Sequence, residues 1–393
     1  MSAPRPSVVY VMPDKMGGVT NIVSYLLSCR DRSVDHHVVW THNRLSRDTR
    51  FGGRLDATTQ THVEYSLPVE NLHAVMRRLA AAIPRGPGVI VASDLLELAM
   101  LSTHDVGRAV VLILHGDHDY YYDLAVRHDA VIHAYVAYSR RMYDLLCECL
   151  PHRRTSIFWL PYGVPIPDRR RQPATGALRL IFAGRLEHGQ KGVLDLPLID
   201  AALRHHGVEA RWTIVGDGPD GEKLRTAWPQ SDRVRYRGNT GTADVAAAFQ
   251  EHDVFVLPTR AEGFPVALLE AMAAGVVPVV SAIESGVLEA ITPGTNGLTP
   301  AVGDIAGFAD AIAALDRDRS RLETMSRAAA DHVRRNHDLR PRAGAYDALY
   351  ARYAELYKPL APDARLQYGS RLDRPWIPNA FVRAVRSAIR ATR

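Results

Sequence analysis

Apolar residues along this chain fall in short bursts separated by longer amphipathic stretches. SVVYVMP at 7–13, HHVVW at 36–40, GVIVAS at 88–93, AVVLILH at 109–115 and AVIHAYVAYS at 130–139 are rich in β-branched residues and read as strands. Segments 18–29, 71–82 and 139–150 repeat apolar positions at helical spacing. Such alternation predicts a parallel sheet with helices on both faces. A proline-rich break, LPYGVPIPDRRRQPATG at 160–176, reads as an interdomain linker. The pattern then restarts with LRLIFAG at 178–184, RWTIVGDG at 211–218, VRYRGN at 234–239, DVFVLPT at 253–259 and VVPVVSA at 276–282.

The expected fold is therefore α/β, with two Rossmann-like, doubly wound domains. Residues 1–165 form the first, completed by a helical, Arg-rich segment at 345–393, and residues 166–344 form the second. Ligands of such sheets bind beyond the carboxyl ends of the strands, which predicts a cleft between the domains.

Composition narrows the picture. The 393 residues are 47% hydrophobic and 23% charged, ordinary for a soluble protein, and no stretch approaches the apolar length of a membrane span. Cys29, Cys147 and Cys149 give neither a disulfide framework nor a zinc spacing, so reduced thiols and a cytoplasmic location are expected. The apolar run at the start is too short for a signal peptide. Net charge is +5, and residues 363–393, with seven Arg and two Asp, carry all of that excess. A basic tail on a neutral body argues against nucleic acid as the main ligand and for an anionic surface near the C-terminus. Lysine is rare: Lys15, Lys191, Lys223 and Lys358 are four of 48 basic residues.

Candidate chemistry sits on loops that follow strands. TRAEGFPVALLEAMAAGVVPVVS, 259–281, is the end of a strand, a loop, a helix and a further strand, with Pro265 in the first helical turn and Gly275 as the stop. Its helix N-terminus suits a phosphate. Glu262 stands before it, and Glu270 is the one charge on a helix apolar almost all round, which predicts a buried carboxylate in need of donors. A vicinal diol or an arginine partner would meet that need. In RLEHGQKG, Arg185 and Lys191 flank a turn between Gly184 and Gly192 and can clamp a pyrophosphate, or form routine surface charge. Gly17 and Gly18 follow the first strand as a close-approach loop or a plain turn. His115, Asp117, His118, Asp119 and three tyrosines from Tyr120 onwards mix polar groups with rings, as carbohydrate recognition does.

Taken together, MGGVTN, LHGD, WLPYGVPIP, FAGRLEHGQKG, WTIVGDGP and EGFPVALLEAMAAGVVPVV resemble the retaining family 4 glycosyltransferases of the GT-B fold, over residues 8–355. The resemblance implies an enzyme that binds a nucleotide-sugar donor on the second domain and an acceptor on the first. It implies that Glu270 meets the donor ribose, Glu262 the transferred sugar, and Arg185 and Lys191 the diphosphate. Gly17, Gly18, Gly263, Phe264 and Val266 would complete the donor site. His115 would lie near the reacting carbon, with Asp117, His118 and Tyr120 on the acceptor side. Tyr162-Gly163 replaces the family's usual Asn-Gly in the linker, and Pro265 stands where many members have Gly.

Other readings remain. GDGPDG, 216–221, satisfies G-x-G-x-x-G and would suit an NAD-dependent dehydrogenase, but Pro219 interrupts the turn. A sugar-nucleotide epimerase or a non-catalytic sugar-nucleotide-binding module would fit the donor site alone. DHD at 117–119 is too short a pattern to argue for a metal, and with cations available for the diphosphate the expectation is no metal and no cofactor. The expected reaction is hexose transfer, with retention, from a UDP- or GDP-linked donor to a glycan, lipid-linked saccharide or small molecule. In the tail, Phe381, Val385 and Ile389 share one helix face with Arg383, Arg386 and Arg390 elsewhere, which suits either an anionic membrane on the inner face or packing on the first domain.

Overall fold

The structure is a computed structural model and describes residues 5–46, 49–173, 175–361, 366 and 368–391. Of the basic tail, Asp363, Arg365 and Arg393 lie outside the described residues. The chain divides into two compact units. The first takes in the chain up to Ala137, Tyr143–Leu160 and the chain from Ala343 onwards; the second is Tyr138–Met142 and Pro161–Arg342.

The first unit holds a seven-stranded sheet: β1 (Ser7–Pro13), β2 (Asp35–Asn43), β3 (Thr59–Tyr65), β4 (Gly88–Ala92), β5 (Ala109–Ile113), β6 (Ala134–Ala137) and β7 (Ile157–Trp159). Every pairing is parallel and the order is β3-β2-β1-β4-β5-β6-β7. β4, β5 and β6 are buried along their whole length, which is why they read as unbroken apolar runs rather than alternations. β3 and β7 escape that pattern. β3 is an edge strand whose one buried residue is Val63, and β7 is three residues at the other edge.

The second unit holds five parallel strands, β8 (Leu178–Ala183), β9 (Ala210–Val215), β10 (Val234–Gly238), β11 (Val254–Leu257) and β12 (Val277–Val280), in the order β10-β9-β8-β11-β12. The proline-rich stretch is built into this unit. Buried Arg171 sets Nη1 2.6 Å from Asp253 Oδ1, and Arg179 Nη2 lies 2.8 Å from the same oxygen. A buried Asp253 is thus compensated by two guanidinium groups, as a buried charge must be.

Strand order reverses between β1 and β4 in one sheet and between β8 and β11 in the other. Loops leaving the carboxyl ends of strands at such reversals diverge and leave room for a ligand. Among the described residues, no helix is long and apolar enough to cross a membrane.

Candidate functional site

At the reversal in the second unit, β8 leads into Gly184, Arg185 and a short helix His188–Lys191, and β11 leads into Pro258, Thr259 and Arg260. The two loops are interlocked. Arg260 donates its amide to Gln190 O at 2.7 Å, and its Nη2 lies 2.8 Å from Asp195 Oδ2. Gly192 sits between them at φ 65°, and a Cβ there would fall 1.9 Å from Pro258 O, so no other residue fits.

This interlock brings Lys191 Nζ to 2.5 Å from Glu262 Oε1. Thr259 Oγ1 lies 2.9 Å from the same carboxylate oxygen and 2.8 Å from Gln190 O, so its single proton serves either acceptor. The Glu262 side chain is 6% exposed and that of Lys191 17%. A largely sheltered ammonium and carboxylate of this kind can exchange each other for a ligand that carries negative charge beside hydroxyl donors. Arg185 shares the loop but has a different partner, with its half-exposed Nε 3.3 Å from Glu187 Oε2.

Glu262 is followed by a clamped turn. Buried Tyr162 donates its hydroxyl to Phe264 O and sets its ring edge-on to the Phe264 ring at 5.6 Å. On the other side Gly286 donates its amide to Gly263 O at 2.8 Å, and a Cβ at Gly286 would collide with the Phe264 ring. The helix Val266–Ala273 then starts with Pro265 as its N-cap rather than inside its first turn, and no side chain caps it. Gly275 ends it as expected, in the left-handed conformation at φ 80°.

Glu270 requires a correction. It is half-buried, not enclosed. The helix buries Val266, Leu268, Leu269, Ala271, Met272 and Ala273, which leaves Ala267 and Glu270, three residues apart, along one partly open edge. The carboxylate stays within reach of water, so the apolar run carries it without a full desolvation penalty.

The G-x-G-x-x-G stretch has a packing role. Gly216, at φ 129°, and Gly218 lie against the β8 loop: a Cβ on Gly216 would be 2.0 Å from Gly184 O, and one on Gly218 2.6 Å from Leu186 O. Leu186 donates its amide to Asp217 O at 3.0 Å. These glycines hold the β8 loop in place, which removes the basis for the dehydrogenase reading.

In the first unit, His115 follows β5 and Ser93 follows β4, with His115 Nε2 3.1 Å from Ser93 Oγ. Burial pushes the imidazole down to about 3, so His115 is neutral and serves as a hydrogen-bond partner. Tyr120 donates its hydroxyl to Asp94, and Tyr122 donates to Asp117 Oδ1 at 2.7 Å. His118 is exposed at the start of the helix Asp119–Arg127 and packs its ring 4.9 Å from that of Tyr121. Gly17 precedes the helix Gly18–Ser28, and a Cβ there would meet nothing within 4 Å.

Ser93, Asp94 and Glu97 are absent from the sequence expectations. Glu97 is buried, accepts the amides of Ser93 at 2.7 Å and Asp94 at 2.6 Å, and is pushed up to about 8 by burial and by the Asp94 charge. The signal was present as a capping box, Asp94 followed three residues later by Glu97 at the end of an apolar strand.

Residues 177–318, most of the second unit, match the family described as Glycosyl transferases group 1. Most of the second unit is thus similar to the group 1 glycosyltransferases. Glycogen synthase of Mycobacterium tuberculosis is 31% identical over 188 residues, covering 47% of this chain and 45% of that protein. A putative colanic acid biosynthesis glycosyltransferase, WcaL of Salmonella typhimurium, is 28% identical over 265 residues, covering 63% of this chain and 64% of its own length. The chain thus spans less than half of that glycogen synthase and under two thirds of WcaL.

In fold, HepE of Anabaena, solved with UDP and glucose, superposes with a TM-score of 0.71 at 16% identity, covering 88% of this chain and 100% of HepE. The architecture is accordingly GT-B. Lys191 and Glu262 both lie inside the stretch that matches the glycosyltransferase family, whereas His115, Ser93 and Asp94 lie outside it.

Proposed function

We propose that the chain is a retaining glycosyltransferase that moves a hexose from a UDP- or GDP-linked donor to an acceptor hydroxyl on a glycan, a lipid-linked saccharide or a small molecule, with no metal ion. The observation that carries this reading is the Lys191–Glu262 pair, set where β8 and β11 diverge inside the stretch that matches the glycosyltransferase family. Its chemistry matches a sugar joined to a diphosphate: hydroxyls for the carboxylate, phosphate oxygens for the ammonium. HepE, which shares the fold, is solved with UDP and glucose, and WcaL is named a putative colanic acid biosynthesis glycosyltransferase.

In this reading the bond from the anomeric carbon to the diphosphate oxygen breaks as the acceptor oxygen forms its bond on the same face. The acceptor proton passes to the departing phosphate. Lys191, Arg185 and the open amides at the start of the helix Val266–Ala273 stabilise the charge that develops on the diphosphate. Glu262 orients the sugar hydroxyls and Glu270 the ribose, with Gly263, Phe264 and Val266 lining the donor and Gly17 and Gly18 approaching it. Neutral His115 donates to or accepts from the sugar without adding charge near the reacting carbon. Asp117, His118 and Tyr120 face the acceptor, and the reaction takes place in the cytoplasm.

A thermal-shift panel of UDP, GDP, ADP and their sugars identifies the donor, since only a bound ligand raises the melting temperature. Incubation of that donor with candidate acceptors is then expected to release nucleoside diphosphate and glycosylated product in equal amounts. Conversion of the donor to another sugar nucleotide without acceptor would identify an epimerase, and binding without turnover a non-catalytic module. Either result would sink the proposal.

A further inference from the structure

The tail helix Asn379–Ala391 rests on the first unit through a built polar network. Asn71, the N-cap of the helix Leu72–Ala82, donates its side-chain amide to Arg374 O at 2.9 Å and Ile377 O at 2.8 Å, and its backbone amide to Asn379 Oδ1 at 2.8 Å. Arg386 Nη2 lies 2.7 Å from Asp373 Oδ2, and Arg386 Nη1 donates to Glu70 O at 2.7 Å. Val382 is fully buried beneath the helix.

This docking decides which residues face outward. Arg386 and Val382 are used on the body side, while Phe381 and Ile389 of the expected apolar face stay exposed and Val385 is half-buried, so of the three arginines expected beside that face Arg383 and Arg390 remain exposed. At 100° per residue, Ala380, Ala384 and Ser387 point away from Val382. Phe381 lies on one flank of that line, and exposed Arg383 and Arg390 on the other. Trp376, just before the helix, is 77% exposed and Phe381 55%. From Arg374 to Ala391 the sequence holds no acidic residue.

We propose that this outward side is a membrane anchor that lays the helix on an anionic bilayer, with Trp376 and Phe381 entering the interface and Arg383 and Arg390 meeting lipid phosphates. Exposed aromatic rings beside a basic edge on a firmly held helix are what interfacial binding uses. The charge selects the occupant. Two copies of this face packed on one another would set Arg383 and Arg390 against their own kind, whereas anionic headgroups neutralise them. The proposal stands apart from glycosyl transfer, because binding is read without donor or acceptor.

The test uses the full chain with vesicles of phosphatidylcholine alone or mixed with phosphatidylglycerol. Wild type is expected to sediment with the anionic vesicles only and to be released by salt. Arg383→Gln with Arg390→Gln should weaken that binding about 30-fold, with the melting temperature confirming that the fold is kept. Brominated lipid should quench Trp376, and the Trp376→Phe variant should lose that quenching; this readout decides the matter even if the double variant does not fold. Equal sedimentation of wild type and double variant, binding to neutral vesicles alone, or a dimer in sedimentation velocity that Phe381→Ser dissolves would each overturn the proposal.

Discussion

The loops after β8 and β11 and the loops after β4 and β5 all leave the carboxyl ends of parallel strands but are built on opposite principles. In the second unit an ammonium and a carboxylate sit 2.5 Å apart, and the loops that carry them interlock so closely that Gly192 has no room for a Cβ. In the first unit a neutral imidazole, the carboxyls of Asp94, Glu97 and Asp117 and several tyrosines surround the strand ends, and Gly17 opens on empty space. Tight interlock keeps charges placed to a fraction of an ångström, which is what transition-state stabilisation demands. Rings and hydroxyls around open space suit recognition of a variable partner. The glycosyltransferase match covers 177–318 and so includes only the interlocked site.

The strongest way to break this contrast is to remove the charge. Lys191→Ala is expected to lower turnover by ~10²–10³-fold, the usual effect of losing one preorganised electrostatic contact. It also leaves Glu262 with Thr259 as its remaining neighbour on that oxygen, so the melting temperature should fall while the fold is kept. Adding Glu262→Ala should restore stability and leave turnover low. Nucleoside diphosphate release measured in the single and double variants separates the two effects. Near-wild-type turnover of Lys191→Ala would remove the residue from the reaction.

Next in size comes the interlock itself. Gly192→Ala places a Cβ in the left-handed region, which costs about 1–2 kcal/mol before the collision with Pro258 O is counted. Loss of at least ~2 kcal/mol in chemical denaturation is expected, together with weaker nucleotide binding by calorimetry. Gly17→Ala meets nothing with its Cβ and carries only the backbone strain of φ 156°, about 1–3 kcal/mol, so it should lose less than Gly192→Ala, which adds a collision to its strain. If both variants lose the same stability, the two loops do not differ in the way described.

Tyr162→Phe acts one step further out. It deletes the hydroxyl that holds Phe264 O but keeps the ring against Phe264, so a loss of about 1 kcal/mol is expected. A rise in donor KM with little change in kcat would show that the clamp positions the loop before the helix Val266–Ala273. Unchanged KM would reduce Tyr162 to a core residue.

How much of this was readable in advance follows from what an apolar run can and cannot say. All five strands of the second sheet and the central strands of the first were legible, because buried parallel strands are continuous apolar segments. β3 and β7 were not, since edge strands bury little and so carry almost no pattern. Arg185, Lys191 and Glu262 could be placed on their loops from glycine punctuation alone, but the pairing of Lys191 with Glu262 depends on strand order, which no local signal encodes. Glu270 misled for a related reason: the run around it shows that its helix is apolar, not which edge the sheet leaves open. Tyr162 looked like a linker variant because its partner, Phe264, is 102 residues away.

The smallest effect at neutral pH is expected at His115, and it sharpens the contrast in acid. Its imidazole is pushed down to about 3 by burial, against an unfolded value near ~6.5. Between those values the unfolded chain binds a proton that the folded chain refuses. Stability carried by this group is therefore complete above pH ~6.5 and falls as pH drops toward 3, with a limiting slope of ~1.4 kcal/mol per pH unit. His115→Asn cannot titrate, so its stability should fall less steeply through that window while running parallel to wild type at higher pH. His36 and His337, each pushed down to about 4 by burial, contribute equally to both proteins and cancel in the difference. Denaturation midpoints from pH 7.5 to 4 measure this directly. Identical slopes would mean that His115 is protonated in the folded protein, which would set a cation beside Ser93 and make the ends of β4 and β5 a charged site like that of the second unit.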